Sequence, residues 1–171
     1  GLSPRKRDVD DISLPNWDSF PLEEYISRHQ ISGINLGRSK PLLATRGCPY
    51  QCTFCSSPNM WTTRYIPRDP KRVADEMELY VRKYDVTNFD FFDLTAIVKR
   101  RWAIEFCEEL IRRKLNVTWQ MPSGTRSEVF DEEVSELLYR SGCRSLAFAP
   151  ESGSPEILEK VKKRVDLEKL V

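Results

Sequence analysis

The stretch Leu42-Leu43-Ala44-Thr45-Arg46-Gly47-Cys48-Pro49-Tyr50-Gln51-Cys52-Thr53-Phe54-Cys55 joins a short apolar run to a loop that holds three cysteines. An apolar run of this length that stops at a glycine is typical of a buried strand. We therefore predict a first strand over residues 42–45, with the cysteines in the loop that follows it. Their spacing is Cys-x3-Cys-x2-Cys, which places three thiols within eight residues.

Downstream of this loop, helical and extended patterns alternate. Apolar residues at helical spacing, capping residues and prolines predict helices over residues 70–84 and 99–114, a third that begins after Asp131, and a fourth that opens at Ser154-Pro155. The predicted strands between them cover residues 87–93, 117–121 and 145–149. Four strand–helix units in alternation predict an α/β fold with a parallel sheet and right-handed crossovers.

Unusual residues follow each predicted strand at its carboxyl end. The cysteines follow the first strand and Asp93 the second, while Ser123 to Arg126 follow the third and Glu151 to Ser154 the fourth. The carboxyl ends of parallel strands meet at one edge of the sheet, which is where such folds bind ligands. The cysteine loop is therefore predicted to belong to an active site.

Three clustered thiolates have several possible uses. A 4Fe–4S cluster held by three cysteines leaves one iron open to a substrate or cofactor. Zinc in a structural site requires four protein ligands, so Cys107 or Cys143 would have to supply the fourth. Cys107 lies in the middle of an apolar helix face, and Cys143 precedes the fourth strand, at the opposite end of the sheet. An electron-transfer centre, which ordinarily has four cysteines, and an incidental cluster of thiols are the other readings.

Composition limits the class of protein. The 171 residues are 40% hydrophobic and 31% charged, with a formal net charge of +1, which is ordinary for a soluble globular protein and gives no argument for nucleic-acid binding. No run of about 20 apolar residues predicts a membrane span. Five cysteines cannot all form disulfides within one chain, so a reducing compartment, the cytoplasm, is predicted. Residues 1–40 are predicted to be an irregular arm or linker, and residues 41–171 the core domain.

The cysteine motif resembles that of the radical S-adenosylmethionine superfamily, and the resemblance covers residues 41–171. That family has Cys-x3-Cys-x2-Cys after the first strand and an aromatic residue before the last cysteine, a place that Phe54 fills. The sequence is most similar to the subgroup that carries a cobalamin-binding domain, which includes methyltransferases and the anaerobic oxidative cyclase of bacteriochlorophyll synthesis. Three stretches carry this closer resemblance: residues 14–18 with Tyr25, residues 55–61 followed by residues 68–70, and residues 151–154.

The resemblance implies a set of cofactor contacts. Cys48, Cys52 and Cys55 would bind three irons of a 4Fe–4S cluster, and S-adenosylmethionine would chelate the fourth. Reductive cleavage of S-adenosylmethionine would then give a 5′-deoxyadenosyl radical. Phe54 would lie near the adenine. Asp93 stands where the family often has Gly-Gly-Glu, so its carboxylate would contact the methionine amino group. The alternative is that Asp93 only begins the following loop.

Three further residues are assigned in the same way. Ser123 and Arg126 would meet the methionine carboxylate, although Arg126 also fits an ordinary surface arginine. Glu151 would bind the ribose hydroxyls, although a carboxylate at a helix start also has a purely structural reading.

The family's core ordinarily has six strand–helix units, and this chain has four. The resemblance therefore implies an incomplete TIM-type barrel, and we expect the isolated chain not to turn over a substrate. A small-molecule substrate and an electron donor are the implied partners of the parent enzyme, in which cobalamin is a possible further cofactor. The open edge of the fourth strand is predicted to favour dimerisation. The alternatives are a zinc-binding interaction module and an electron-transfer protein.

Overall fold

The computed structural model of the chain describes residue 6, residues 8–30 and residues 32–170. The predicted arm includes residues 1–5, Arg7 and Ile31, and the predicted core ends at Val171. These positions lie outside the described residues.

The strands form one parallel sheet and one small antiparallel pair. In chain order they are β1 (Ser39–Leu42), β2 (Thr45–Arg46), β3 (Ile66–Pro67), β4 (Asn88–Phe91), β5 (Thr118–Thr125) and β6 (Cys143–Phe148). The parallel sheet has the order β1-β4-β5-β6, and β2 pairs with β3. The predicted α/β fold with four parallel strands is thus confirmed.

The helices are α1 (Leu22–Ser27), α2 (Ser57–Trp61), α3 (Pro70–Tyr84), α4 (Arg100–Arg113), α5 (Glu132–Arg140) and α6 (Pro155–Lys160). Helix α3 has the predicted bounds because its signals are local. The Asp69 side chain accepts a hydrogen bond from the Lys71 N–H, and Pro70 occupies the first helical turn. No helix in the described part of the chain is long and apolar enough to cross a membrane.

The first strand lies earlier than predicted. Residues 39–42 form β1, whereas Thr45 belongs to the separate pair of β2 and β3. The strand ends at Leu42 because the N–H groups of Ala44 and Thr45 point to the Asp93 carboxylate instead of to a neighbouring strand.

The two faces of the sheet differ in chemistry. The face toward α3 and α4 is aromatic: Phe106 stacks on Trp102 at 5.2 Å and meets Phe91 and Trp119 edge-on. The other face is polar, and there the buried Asp90 carboxylate accepts hydrogen bonds from the side-chain amides of Asn88 and Gln120. This alternation follows from the period of two along a strand.

The arm is more regular than predicted. It contains a 3-10 turn at Trp17–Ser19 and the helix α1, and the prediction of an irregular segment was wrong there. Leu22 and Ile26 lie four residues apart on one face of α1 and are buried in the main core. Pro21 does not prevent this helix because it stands just before the first turn, where no intrahelical N–H bond is lost.

A buried lysine joins the arm to the sheet. Lys40 of β1 has no solvent exposure, and its Nζ lies 3.5 Å from the ring centre of Trp17 and 3.6 Å from that of Tyr80. The aromatic faces attract a cation, whereas burial disfavours the charge and lowers the pKa of Lys40 to about 7. Nearby, Asp18 of the arm accepts hydrogen bonds from Lys83 and the Tyr84 hydroxyl.

We expect this lysine to make the stability of the fold depend on pH. An unfolded lysine has a pKa of about 10.4, so between about pH 7 and pH 10 the unfolded chain binds a proton at Lys40 that the folded chain does not. The free energy of unfolding, measured in urea, should therefore rise with pH over this window. Lys40→Met should remove that rise, and the exposed Lys71→Met should keep it. Equal slopes in the Lys40→Met variant and the unchanged chain would contradict this account.

Candidate active site

The cysteine loop begins at a glycine that no other residue can replace without strain. Gly47 has a φ of 82°, and a Cβ placed on it would lie 2.0 Å from the backbone oxygen of Arg64. The pairing of β2 with β3 brings Arg64 to this position. Gly47 therefore lets the chain turn tightly out of β2 and directly into Cys48.

The three thiols of the loop are free and lie close to one another. Cys48 and Cys52 are half-buried and Cys55 is exposed, and none forms a disulfide. Burial raises the pKa of the Cys48 thiol, and the neighbouring thiols of Cys52 and Cys55 raise it further. The Cys55 N–H donates to the Cys52 carbonyl at 3.0 Å, and the Ser57 N–H donates to the Cys55 Sγ at 3.4 Å.

The chemistry of this donor set is compatible with an iron–sulfur cluster. In the described ranges, no three His, Cys, Asp or Glu side chains converge to hold one metal ion. The thiolates of a 4Fe–4S cluster also surround one centre, but each binds a different iron, so they lie further apart than the ligands of a single ion. Three free, neighbouring thiols on one loop supply the soft ligands that it needs.

The other two cysteines belong to the core. Cys107 lies in α4 and Cys143 begins β6, and both are buried. Burial raises the pKa of Cys107 to about 11 and that of Cys143 to about 12, which disfavours the thiolate that a metal would need. Neither lies in the cysteine loop, so the structure offers no support for either as a fourth zinc ligand.

Asp93 lies beside the loop but faces the end of β1. It is 2% exposed, and its carboxylate accepts hydrogen bonds from the Ala44 and Thr45 N–H groups and from the Thr45 hydroxyl. Burial raises the pKa of Asp93 to about 6 against the opposing effect of these donors. All of these contacts hold the connection from β1 to β2, and contact with a methionine amino group stays a prediction.

Ser123 and Arg126 lie at the end of β5 in different surroundings. The pairing of β5 with β6 shifts register between Met121 and Thr125, and the exposed Ser123 lies in this irregular segment. The Arg126 side chain is only 10% exposed and forms an ion pair with Glu128. Its guanidinium carbon lies 3.7 Å from the ring centre of Tyr50, within the cysteine loop.

Lys163 lies between Glu151 and Phe54, and the sequence analysis did not predict it as a site residue. Lys163 donates to the Glu151 carboxylate at 3.1 Å, and its Nζ lies 6.0 Å from the Phe54 ring centre. Phe54 is 57% exposed, so one face of its ring is accessible to a ligand. Glu151 has a φ of 72°, in the left-handed region, which is strained for a residue other than glycine.

The chain after α6 closes one side of the loop. The Thr53 N–H donates to the Val161 carbonyl at 3.0 Å. A cleft of about 560 Å³ lies here between residues 49–51 of the loop and residues 158–164. Basic residues near the end of a helix are explained by the helix dipole, and nothing in the sequence marks Lys163 as a neighbour of the cysteines.

The structure therefore brings the cysteine loop, Asp93, Arg126 and Glu151 together at the carboxyl edge of the sheet. Sequence reasoning missed Tyr50, Glu128 and Lys163, which are the partners of the predicted residues. A second cavity, of about 460 Å³, lies between the arm and β1 and is lined mainly by apolar residues.

Comparisons with known proteins identify similar sequences. Residues 42–171 match the Radical SAM superfamily. The anaerobic magnesium-protoporphyrin IX monomethyl ester cyclase of Rubrivivax gelatinosus is 34% identical over 165 residues, which are 96% of this chain and 28% of that protein. An uncharacterized methyltransferase of Pyrococcus horikoshii is 29% identical over 162 residues, 95% of this chain and 33% of that protein. The chain thus spans a third or less of the length of these relatives.

A solved structure has a similar fold. It is the radical S-adenosylmethionine methyltransferase TsrM from Kitasatospora setae with cobalamin and a [4Fe-4S] cluster bound. The TM-score is 0.72 at 25% identity, over 86% of this chain and 28% of that one. The four-stranded sheet therefore corresponds to part of a larger barrel, in agreement with the incomplete TIM-type barrel expected from the sequence.

We expect Asp93→Asn to loosen the start of the cysteine loop. An asparagine can keep its one oxygen in the place of Oδ1, which accepts from all three donors, but it puts an NH₂ group in the place of Oδ2, against the Ala44 N–H. The remaining neutral oxygen also accepts more weakly than a carboxylate does. The free energy of unfolding should fall by about 1–3 kcal/mol. The control Asp69→Asn makes the same charge change at a helix cap that asparagine fills well, and should change little. Equal effects of the two substitutions in urea denaturation would show that Asp93 has no special role.

Proposed function

This chain belongs to the Radical SAM superfamily, and we propose that it binds a 4Fe–4S cluster through Cys48, Cys52 and Cys55 and S-adenosylmethionine at the remaining iron. The observation that carries the proposal is the position of three free, neighbouring thiols at the carboxyl edge of a parallel sheet. When bound, these cofactors supply a one-electron cleavage of the sulfonium that gives methionine and a 5′-deoxyadenosyl radical.

The residues of this chain would bind and orient the cofactors. The exposed ring of Phe54 offers a face for the adenine, and the exposed Glu151 carboxylate, paired with Lys163, offers an acceptor for ribose hydroxyls. The exposed Ser123 hydroxyl is available to the methionine carboxylate. These three contacts are supported by position and chemistry.

Asp93 and Arg126 have a different role in this proposal. The carboxylate of Asp93 and the guanidinium of Arg126 are both engaged by protein groups, the former at the end of β1 and the latter at Glu128. We assign them to holding the cysteine loop in place, and their direct contact with S-adenosylmethionine remains a prediction of the family resemblance.

We propose that the whole protein that carries this chain is an enzyme acting on a small molecule, either a cobalamin-dependent methyltransferase or a cyclase. The named activities of the similar proteins and the cobalamin in the TsrM structure support this proposal. Within this chain the only histidine, His29, is hydrogen-bonded to Asn35 in the arm, so we assign no cobalamin ligand here.

The remaining parts of the proposal concern organisation and setting. Residues 1–40 would link the core, residues 41–171, to a preceding domain, and an electron donor would reduce the cluster. The free thiols fit the reducing cytoplasm. Self-association through the free edge of β6 stays a prediction.

Anaerobic reconstitution with iron and sulfide tests this function. We expect the reduced chain to bind about four irons and to give an electron paramagnetic resonance signal that changes when S-adenosylmethionine is added. Alanine at Cys48, Cys52 or Cys55 should abolish the signal, because each thiolate binds its own iron. Cys107→Ala removes a thiol in the core and should keep the signal.

Other outcomes would identify other functions. Uptake of zinc without iron and sulfide would favour a structural metal module. A cluster whose signal does not respond to S-adenosylmethionine would favour electron transfer and would sink the proposal of an open iron.

A further inference from the structure

A partly buried ion pair at the end of β5 contacts one side chain of the cysteine loop. The Tyr50 ring, between Cys48 and Cys52, lies against the guanidinium of Arg126 at 3.7 Å. Glu128 accepts two hydrogen bonds from that guanidinium, one from Nε at 3.1 Å and one from Nη2 at 2.5 Å. Their side chains are 10% and 31% exposed.

This arrangement is both rigid and specific to arginine. The guanidinium uses its planar edge for the carboxylate and its face for the phenol ring, which a lysine ammonium cannot do at once. Arg126 directly follows β5, so the sheet fixes its backbone. The loop segment between the first two cysteines is therefore positioned by the sheet.

The same charges act on the cysteines electrostatically. The guanidinium of Arg126 lies against Tyr50, which is two residues from Cys48 and two from Cys52, so its charge lies next to the segment that bears the first two predicted cluster ligands. Reduction adds a negative charge to a cluster, so a nearby cation favours the reduced form and a nearby carboxylate disfavours it. In a half-buried site such fields are weakly screened.

We propose that Tyr50, Arg126 and Glu128 form a positioning triad that fixes the cysteine loop and sets the reduction potential of its cluster. This inference rests on the proposed function. In the triad, Tyr50 packs on Arg126 and thereby fixes the loop relative to the end of β5. The charge of Arg126 favours the reduced cluster. Glu128 limits that effect by partly neutralising the guanidinium.

Other cations also lie near the loop: Lys162, Lys163 and Arg164 line the cleft opposite residues 49–51, and Arg46 precedes the loop. Lys163 is paired with Glu151, and the guanidinium of Arg46 lies 5.2 Å from the ring centre of Trp61. In the part of the chain that the structure describes, no hydrogen bond or cation–ring contact joins Lys163 or Arg46 to the segment between Cys48 and Cys52. They remain unchanged in the variants below, so they do not contribute to the differences measured.

The test is the reduction potential of the reconstituted cluster, measured by redox titration. Glu128→Gln leaves the guanidinium uncompensated and should shift the potential to a more positive value. Arg126→Gln leaves the carboxylate uncompensated and should shift it to a more negative value. A residue that only supports the fold would not produce opposite shifts in two variants that retain the same iron content.

Arg144→Gln is the matched control. Arg144 also stacks on a tyrosine, Tyr139, with its guanidinium carbon 4.6 Å from the ring centre, but it lies near the amino end of β6, away from the cysteine loop. Its replacement makes the same charge change as Arg126→Gln, so the potential should stay at that of the unchanged chain.

The claim that the triad fixes the cysteine loop is tested separately, by the rate at which the reconstituted cluster releases iron to a chelator. Tyr50→Leu removes the aromatic surface on which Arg126 lies and should speed release about tenfold, as loss of an outer contact typically does. Tyr50→Phe keeps the ring and should release iron at nearly the original rate.

The outcomes separate the triad from the proposed function. Suppose that the unchanged chain binds the cluster and responds to S-adenosylmethionine. If the cluster potentials of Glu128→Gln and Arg126→Gln then equal that of the unchanged chain, or shift in the same direction, the triad is overturned and the proposed function stands. A chain that takes up no cluster would overturn both.

Discussion

The structure around the cysteine loop depends on one buried carboxylate. Asp93, at the carboxyl end of β4, accepts the N–H groups of Ala44 and Thr45, which follow the neighbouring strand β1. These hydrogen bonds end the parallel pairing of β1 and turn the chain into β2. Burial raises the pKa of Asp93 to about 6, and the three donor groups, which favour the carboxylate, limit that rise.

Sequence patterns predicted the elements whose signals are local and missed the boundary that the long-range contact of Asp93 determines. Helix α3 begins and ends as predicted because its cap, its proline and its apolar stripe are all within the helix and its first flanking residue. The end of β1 depends on a side chain 49 residues further along the chain, and no local pattern records that contact. Helix α1 was missed for a related reason, since only two of its residues face the core.

The same distinction applies to the candidate site. The cysteine spacing and the position of Asp93, Arg126 and Glu151 after predicted strands are properties of the sequence, and they place these residues at one edge of the sheet. Which group each side chain contacts depends on loop conformation. Arg126 pairs with Glu128, two residues away, because the chain leaves β5 in a geometry that brings the two side chains together. Nothing in the sequence order distinguishes this pair from two oppositely charged side chains that both face solvent.

Two ion pairs flank the cysteine loop, and both are formed by residues that follow strands of the sheet. The pair of Arg126 and Glu128 follows β5 and contacts Tyr50, while the pair of Glu151 and Lys163 follows β6 and lies near Phe54. In the second pair, Glu151 has a left-handed backbone, which costs on the order of 1–2 kcal/mol for a residue with a Cβ. A solvent-exposed ion pair contributes less than about 1 kcal/mol and would not offset that cost by itself. The strain is therefore maintained by the packing of the chain after α6 on the loop, including the hydrogen bond from Thr53 to Val161. It follows that the conformation of the loop is imposed by the ends of the sheet strands, and that its three thiols are held together by residues far from them in sequence.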